Sequence, residues 1–517
     1  MGDTHVATVV VGPEPLTFQQ VVAVARGGVP VALGEDAGKA MAASRAHVEA
    51  LAAAPTPAYG VSTGFGALAT RHIHPELRAK LQVSLIRSHA AGSGAEVERE
   101  VVRALMLLRL RTLATGRTGI RPATAQALAG LLNAGITPIV YEHGSLGCSG
   151  DLAPLAHVAL ALMGEGPVRN AAGERVAAPR ALAAAGIEPV TLAAKEGLAL
   201  INGTDGMLGM LVLAIEDLGG LLRAADVAAA MSVEAQLGTD RVFAADLQDL
   251  RPHPGQAVSA ANLRALLAES PIMASHRGPD CTRVQDAYSL RCSPQVAGAA
   301  RDTVAHAALV ATRELAAAVD NPVVLTDGRV ESNGNFHGAP LGYVLDFLAI
   351  PVADLASMSE RRTDRMLDVA RSHGLPAFLA DDPGVDSGHM IAQYTQAAVV
   401  SELKRLAVPA SVDSIPSSAM QEDHVSMGWS AARKLRRSLD GLARVLAIEL
   451  LTAARALDLR APLRPGPATA AVVAALRGRV PAPGPDRFMA QDIAAAVDLV
   501  RDGTLVAAAE SVTGPLP

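Results

Sequence analysis

Aromatic side chains make up only 3% of the 517 residues: one Trp, five Tyr and seven Phe. A surface for stacking nucleic-acid bases needs more of them. A cationic footprint is lacking too. Lys and Arg total 45 against 51 Asp and Glu, a formal net charge of −6, so neither nucleic acid nor an anionic membrane is an expected partner. The three cysteines, Cys148, Cys281 and Cys292, make neither a disulfide framework nor a CxxC metal pair. They point to a reducing, cytoplasmic setting. The opening MGDTHVATVVVG has no basic segment leading into a long apolar one, so no secretory signal is expected. The most apolar run, Gly206 to Ile215, stops at Glu216-Asp217, short of the ~20 residues that cross a bilayer.

Missing motifs narrow the chemistry further. Neither GxxxxGK[ST] nor GxGxxG occurs, and neither does HExxH. Ser149 lies in GCSGD, which is not the GxSxG elbow of hydrolases. His72 and His74 sit two apart in RHIHPE, but nothing nearby completes a metal site. None of the five lysines has a phosphate-cradle context for pyridoxal phosphate.

What the chain does contain is helix-forming and apolar. Hydrophobic residues reach 50% and charged residues 19%, enough for a large core and too apolar for disorder. Ala and Leu dominate, and both favour helix. Residues 4–11 read as a short strand. A helical, alanine-rich stretch follows from 15 to 55, broken by Pro55 and Pro57 before a glycine-punctuated loop that is free to move. Helical spacing resumes from 76 to 135, and Asp151 is placed to cap the apolar helix that follows it. Five long helices are expected over 205–237, 296–319, 341–367, 387–408 and 424–457, with Pro351 kinking the third. Asp327-Gly328 marks a hairpin between the second and third. The expected fold is all-α: a long-helix bundle core with a smaller mixed N-terminal region. Its segments are an N-terminal domain over 1–204, the bundle over 205–460 and a helical appendage over 461–517.

Polar and glycine residues concentrate at loops and helix ends, where functional groups usually sit. These places are 59–66, 88–89, 144–151 with 202–204, 285–291 with 334–338, and 421–424. Taken singly each has a plain structural explanation: a packing histidine, a tight turn, an ion pair or a helix start. Together they form ordered blocks: Tyr59–Gly66 (YGVSTGFG), Gly144–His157 (GSLGCSGDLAPLAH), Asn202–Thr204 (NGT), Gln285–Cys292 (QDAYSLRC), Gly334–Gly338 (GNFHG) and Gln421–Met427 (QEDHVSM). In content and order these resemble the aromatic amino acid ammonia-lyases, the histidase/phenylalanine ammonia-lyase family, over residues 59 to about 430.

The resemblance implies a built-in electrophile, 4-methylideneimidazole-5-one (MIO), formed from Cys148-Ser149-Gly150 with no external coenzyme. The Gly150 nitrogen attacks the Cys148 carbonyl, and Ser149 loses its hydroxyl to become the methylidene. Ala is the more usual first residue, but the side chain of residue 148 stays outside the ring. An electrophile is what ordinary side chains cannot supply for expelling ammonia.

The resemblance also implies roles. Arg291 binds the substrate carboxylate as a fork. Tyr59 is the first choice for the base that takes the β-proton and Tyr288 the second. Asn202 and Gln285 hydrogen-bond the electrophile, and Phe336 packs by the substrate ring. His89 and Glu422 set the substrate: a buried carboxylate accepts from an imidazole N–H, whereas a phenyl ring leaves it unpaired. L-Histidine, giving trans-urocanate and ammonia, is therefore expected, with tyrosine a weaker competitor. An aminomutase and an inactive helical scaffold are the rivals. The assembly implied is a homotetramer with active sites shared between subunits.

Overall fold

The protein is described here by a computed structural model, which covers residues 8–55, 57–64, 66–278, 281 and 284–517. Four helices of 24 to 31 residues form its spine: Asp205–Ala235, Ser293–Ala316, Ala339–Leu367 and Gly428–Asp458. The fifth expected helix, Met390–Leu406, is shorter at 17 residues. The all-α expectation holds, and what strand there is comes in pieces of two to four residues. The Ala339–Leu367 helix runs on through Pro351. By length and composition it is apolar enough to cross a membrane, but 61% of its most apolar window is buried inside the protein, as in a core helix.

The chain clusters into two compact units, and all four long helices pass from one to the other. The first comprises 1–213, 308–346 and 409–433; the second comprises 214–307, 347–408 and 434–517. Contiguous segments were expected at 1–204, 205–460 and 461–517. Each compact unit is assembled from three stretches of the chain.

In the first unit the Arg99–Ala114 helix is buried without interruption from Val101 to Ala114. It packs against Phe18–Ala25, Glu35–Ala53 and Pro122–Asn133. Three of its buried residues are arginines, and each donates to main-chain carbonyls, since buried charge needs partners. Arg103 donates to Val24 and Leu132, Arg109 to Asn202 and Val319, and Arg111 to Pro13, Glu14, Ala316 and Ala317. Burial pulls the Arg103 guanidinium down to about 10.

Strand Val9–Val11 pairs in parallel with Val31–Leu33. Residues 4–7 of the expected strand lie outside the described residues. The second strand interrupts the helix expected over 15–55, because Gly27, Gly28 and Pro30 end helical continuity there. The hairpin is present, with Val323–Val324 antiparallel to Val330–Glu331 around Gly328.

The second unit is cross-tied by buried polar groups. Arg362 pairs with Glu449 at 2.5 Å, and Ser232 donates to the same carboxylate at 2.6 Å. One carboxylate thus joins three long helices. The C-terminal segment belongs to this unit: Glu234 accepts from the Gly466 amide and the Thr469 hydroxyl, both at 2.6 Å. Pro467–Arg477 then packs on Thr504–Thr513.

Candidate active site

The first unit gathers most of the expected site around the loop that carries Cys148, Ser149 and Gly150. Two segments hold this loop. The Met427 amide donates to the Leu146 carbonyl at 3.0 Å, and the Ser426 hydroxyl to the Gly147 carbonyl at 3.1 Å. On the other side Gly150 bridges Gly203 in parallel, and the Asp151 amide donates to the Gly203 carbonyl at 2.7 Å. Gly150 has φ +75°, and a Cβ there would sit 2.1 Å from the Gly203 oxygen. Only glycine meets both demands. A serine followed by a glycine free to adopt this turn fits the internal cyclisation that forms MIO.

Asp151 does not cap the helix it precedes, Leu152–Leu162; its side chain makes no bond there. Instead its Oδ2 accepts from the Gly206 and Met207 amides, each at 2.9 Å, and its Oδ1 from Ser145. It caps the first turn of Asp205–Ala235, where free amides and the helix dipole favour an acceptor. Burial outweighs these bonds and pushes its carboxyl up to about 7.

Glu422 stands beside the loop. Its Oε1 lies 3.5 Å from the Ser149 hydroxyl, and its Oε2 accepts from Ser417 at 2.9 Å. Residues 417 and 422 face each other across an antiparallel bridge, which sets the carboxylate's direction. Cys148 is buried, and burial, with the Glu422 charge next, pushes its thiol up to about 12.

His89 ends the Arg78–His89 helix, its Nδ1 2.9 Å from the Leu85 carbonyl. That contact puts the proton on Nδ1 and leaves Nε2 an acceptor. Burial lowers its pKa, with Glu422 opposing, so the ring is neutral near pH 7.

Asn202 is 3% exposed. Its Nδ2 donates to the Asn321 carbonyl at 3.3 Å, and its Oδ1 has no partner. An orphaned buried acceptor calls for a donor. The Tyr59 hydroxyl lies 3.4 Å from the Gly66 amide, and Phe65 lies outside the described residues. The loop read as free to move is pinned at its base. Val61, Ser62 and Thr63 are buried, Ile73 donates to the Ser62 carbonyl, and Gly64 to that of Arg71. Phe336 is half-buried on a segment whose His337 stacks on His424, Nε2 to Nδ1 at 3.1 Å.

The second unit carries the other three expected residues. Gln285 and Tyr288 are exposed, and the Arg291 guanidinium lies over the Tyr288 ring at 4.6 Å. The Arg291 Nε is buried with no partner. Asp286 anchors the segment by accepting from the Thr239 amide at 2.6 Å. His72 and His74 meet edge to face at 6.4 Å, and among the described residues no group of three or more His, Cys, Asp or Glu is gathered to hold a metal.

Two residues that shape this geometry carry no signal in the sequence. Ser417 and Arg109 act on groups that are distant along the chain or reached only through a turn.

Comparison with known proteins places the chain in a family. The family model described as aromatic amino acid lyase matches residues 16–478. Histidine ammonia-lyase of Streptomyces coelicolor is 68% identical over 510 residues, covering 98% of this chain and 99% of that protein. The crystal structure of histidine ammonia-lyase from Trypanosoma cruzi superposes with a TM-score of 0.89 at 38% identity, covering 98% of this chain and 95% of that one. Tyrosine aminomutase from Streptomyces globisporus gives 0.92 at 39% identity, covering 99% and 100%. The chain belongs to the aromatic amino acid lyase family.

Proposed function

We propose that the protein is a cytoplasmic ammonia-lyase that converts L-histidine to trans-urocanate and ammonia, the entry step of histidine breakdown. The observation that carries this is the Glu422 carboxylate, steered by Ser417 to within 3.5 Å of the Ser149 hydroxyl. The 68% identity to a histidine ammonia-lyase over nearly the whole chain supports it.

When formed from Cys148-Ser149-Gly150, MIO supplies the electrophile that no side chain provides. Around it the chain's own residues bind and move protons. Glu422 accepts the N–H of the substrate's neutral imidazole, and the neutral His89 packs beside the same ring. Asn202, expected to hydrogen-bond the electrophile, has its Nδ2 on the Asn321 carbonyl and presents an unpaired Oδ1, an acceptor suited to the substrate amine. Arg291 takes the carboxylate as a fork. Tyr59 removes the β-proton, with Tyr288 the alternative, while Gln285 hydrogen-bonds the electrophile and Phe336 borders the substrate.

The working form is a homotetramer in which subunits contribute to one another's sites. Exposed apolar side chains recur at helical spacing along Tyr343, Phe347 and Ile350, and again at Ile391 and Tyr394. Such rows favour burial between chains.

The decisive assay mixes the purified protein with L-histidine and follows urocanate absorbance, with Ser149→Ala as control. Product from the wild type alone supports the reading; no product from a correctly processed chain overturns the substrate. The likeness to tyrosine aminomutase makes a β-amino acid the second product to analyse, with tyrosine as substrate.

A further inference from the structure

We infer that Arg109 is a positioning residue for self-processing, a strut that holds the Gly203 peptide against Gly150. The inference rests on the reading that Cys148-Ser149-Gly150 cyclises.

The geometry is specific to this arginine. Its guanidinium is fully buried. Nη1 donates to the Asn202 carbonyl at 2.6 Å and Nη2 to that of Val319 at 2.8 Å, while Nε stands 3.4 Å from the Asp205 carboxylate. Gly203 is enclosed between these groups. A Cβ there would lie 2.7 Å from Arg109 Nη1 and 2.4 Å from Asp205 Oδ2. On its far side the Gly203 carbonyl receives the Asp151 amide and meets Gly150 at the bridge. Arg109 therefore fixes one wall of the turn in which the Gly150 nitrogen must approach the Cys148 carbonyl. Cyclisation forms that C–N bond, and the overall loss is two waters, one carrying the Cys148 carbonyl oxygen and one the Ser149 hydroxyl. No oxidant or co-reactant is needed, so what remains for the protein is to hold the peptide in a reactive geometry. A planar fork that donates to two carbonyls while facing a carboxylate does this, whereas the single ammonium of Lys cannot span all three.

Arg103 is the internal control. It lies on the same helix, is 1% exposed, and also ties two carbonyls, those of Val24 and Leu132, neither of them at Gly203.

The experiment compares wild type, Arg109→Lys, Arg103→Lys and Ser149→Ala by intact mass, by mass of the peptide spanning 148–150, and by circular dichroism. Wild type is expected to be lighter by two waters. Folded Arg109→Lys is expected to keep the two waters in most chains, with the processed fraction showing an unchanged KM for histidine. Arg103→Lys is expected to melt earlier yet be fully processed. Full processing of Arg109→Lys overturns the proposal, as does equal loss of processing in Arg103→Lys. Should Arg109→Lys lose its helical signal, Asp205→Asn, which keeps the fork but removes its carboxylate, decides on the same criterion. An unprocessed wild type overturns the cyclisation reading itself.

Discussion

Glu422 stands beside the Cys148-Ser149-Gly150 tripeptide and Cys148 begins it, yet their side chains should matter very differently. The Glu422 carboxylate is held by Ser417 and directed at Ser149, in position to discriminate substrates by charge. Replacing it with Gln exchanges a charged acceptor for a neutral amide. A hydrogen bond to a charged group is worth ~1.5–3 kcal/mol, so Glu422→Gln should lower kcat/KM for histidine by about 10- to 100-fold. Steady-state urocanate formation checks this, and an unchanged kcat/KM would remove Glu422 from substrate selection. In the proposed ring Cys148 contributes only its main chain. With its thiol pushed up to about 12 by burial, it is not ionised at assay pH. Cys148→Ala should therefore keep both the two-water mass loss and the histidine activity; a loss of either would give the thiol a role.

Burial at two helix starts explains two opposed pH effects. Asp151, across the start of Asp205–Ala235, is raised from 3.8 to about 7 by burial. The fold holds its proton up to about pH 7, whereas the unfolded chain releases it near 3.8. Its stabilising contribution is complete below 3.8 and is lost as pH climbs to about 7. His389 sits at the start of Met390–Leu406, its Nδ1 3.0 Å from the Thr452 hydroxyl. Burial first, then Arg455, Arg477 and Arg487, lowers it from 6.5 to about 3. Its contribution is complete above 6.5 and is lost as pH falls towards 3. Melting curves across pH 4 to 8 should separate them. Asp151→Asn should flatten the loss of Tm on the rising side, and His389→Gln the loss on the acidic side. Parallel curves for both variants and wild type would contradict these assignments.

The assembly carries its own prediction. If subunits complete one another's sites, activity must follow association. A paired Tyr343→Asp, Ile350→Lys variant places charge on an exposed apolar row and should shift native mass to smaller species, with urocanate formation falling in step. A dissociated chain that retains full activity would refute shared sites. The buried ties within one chain, such as Arg362 to Glu449, are not expected to change.

Much of this protein is determined by its sequence alone. Ala and Leu spacing yields the long helices to within a few residues, because helix is a local property read at three- and four-residue steps. The Gly144–Asp151 loop, Asn202, His89 and Glu422 stand out because polar and glycine residues interrupt apolar helices only where a turn or function requires them. What the sequence does not contain is partnership at a distance. Asp151 looks like the cap of the next helix, yet it caps one that starts 54 residues later. Arg109 looks like one more charge on a helix, yet it is buried among carbonyls more than 90 residues away. The strand Val31–Leu33 inside an expected helix, and the compact units threaded by continuous helices, have the same origin. Local propensity sets the elements; the desolvation of buried polar groups, which must find partners wherever the fold brings them, decides how they meet.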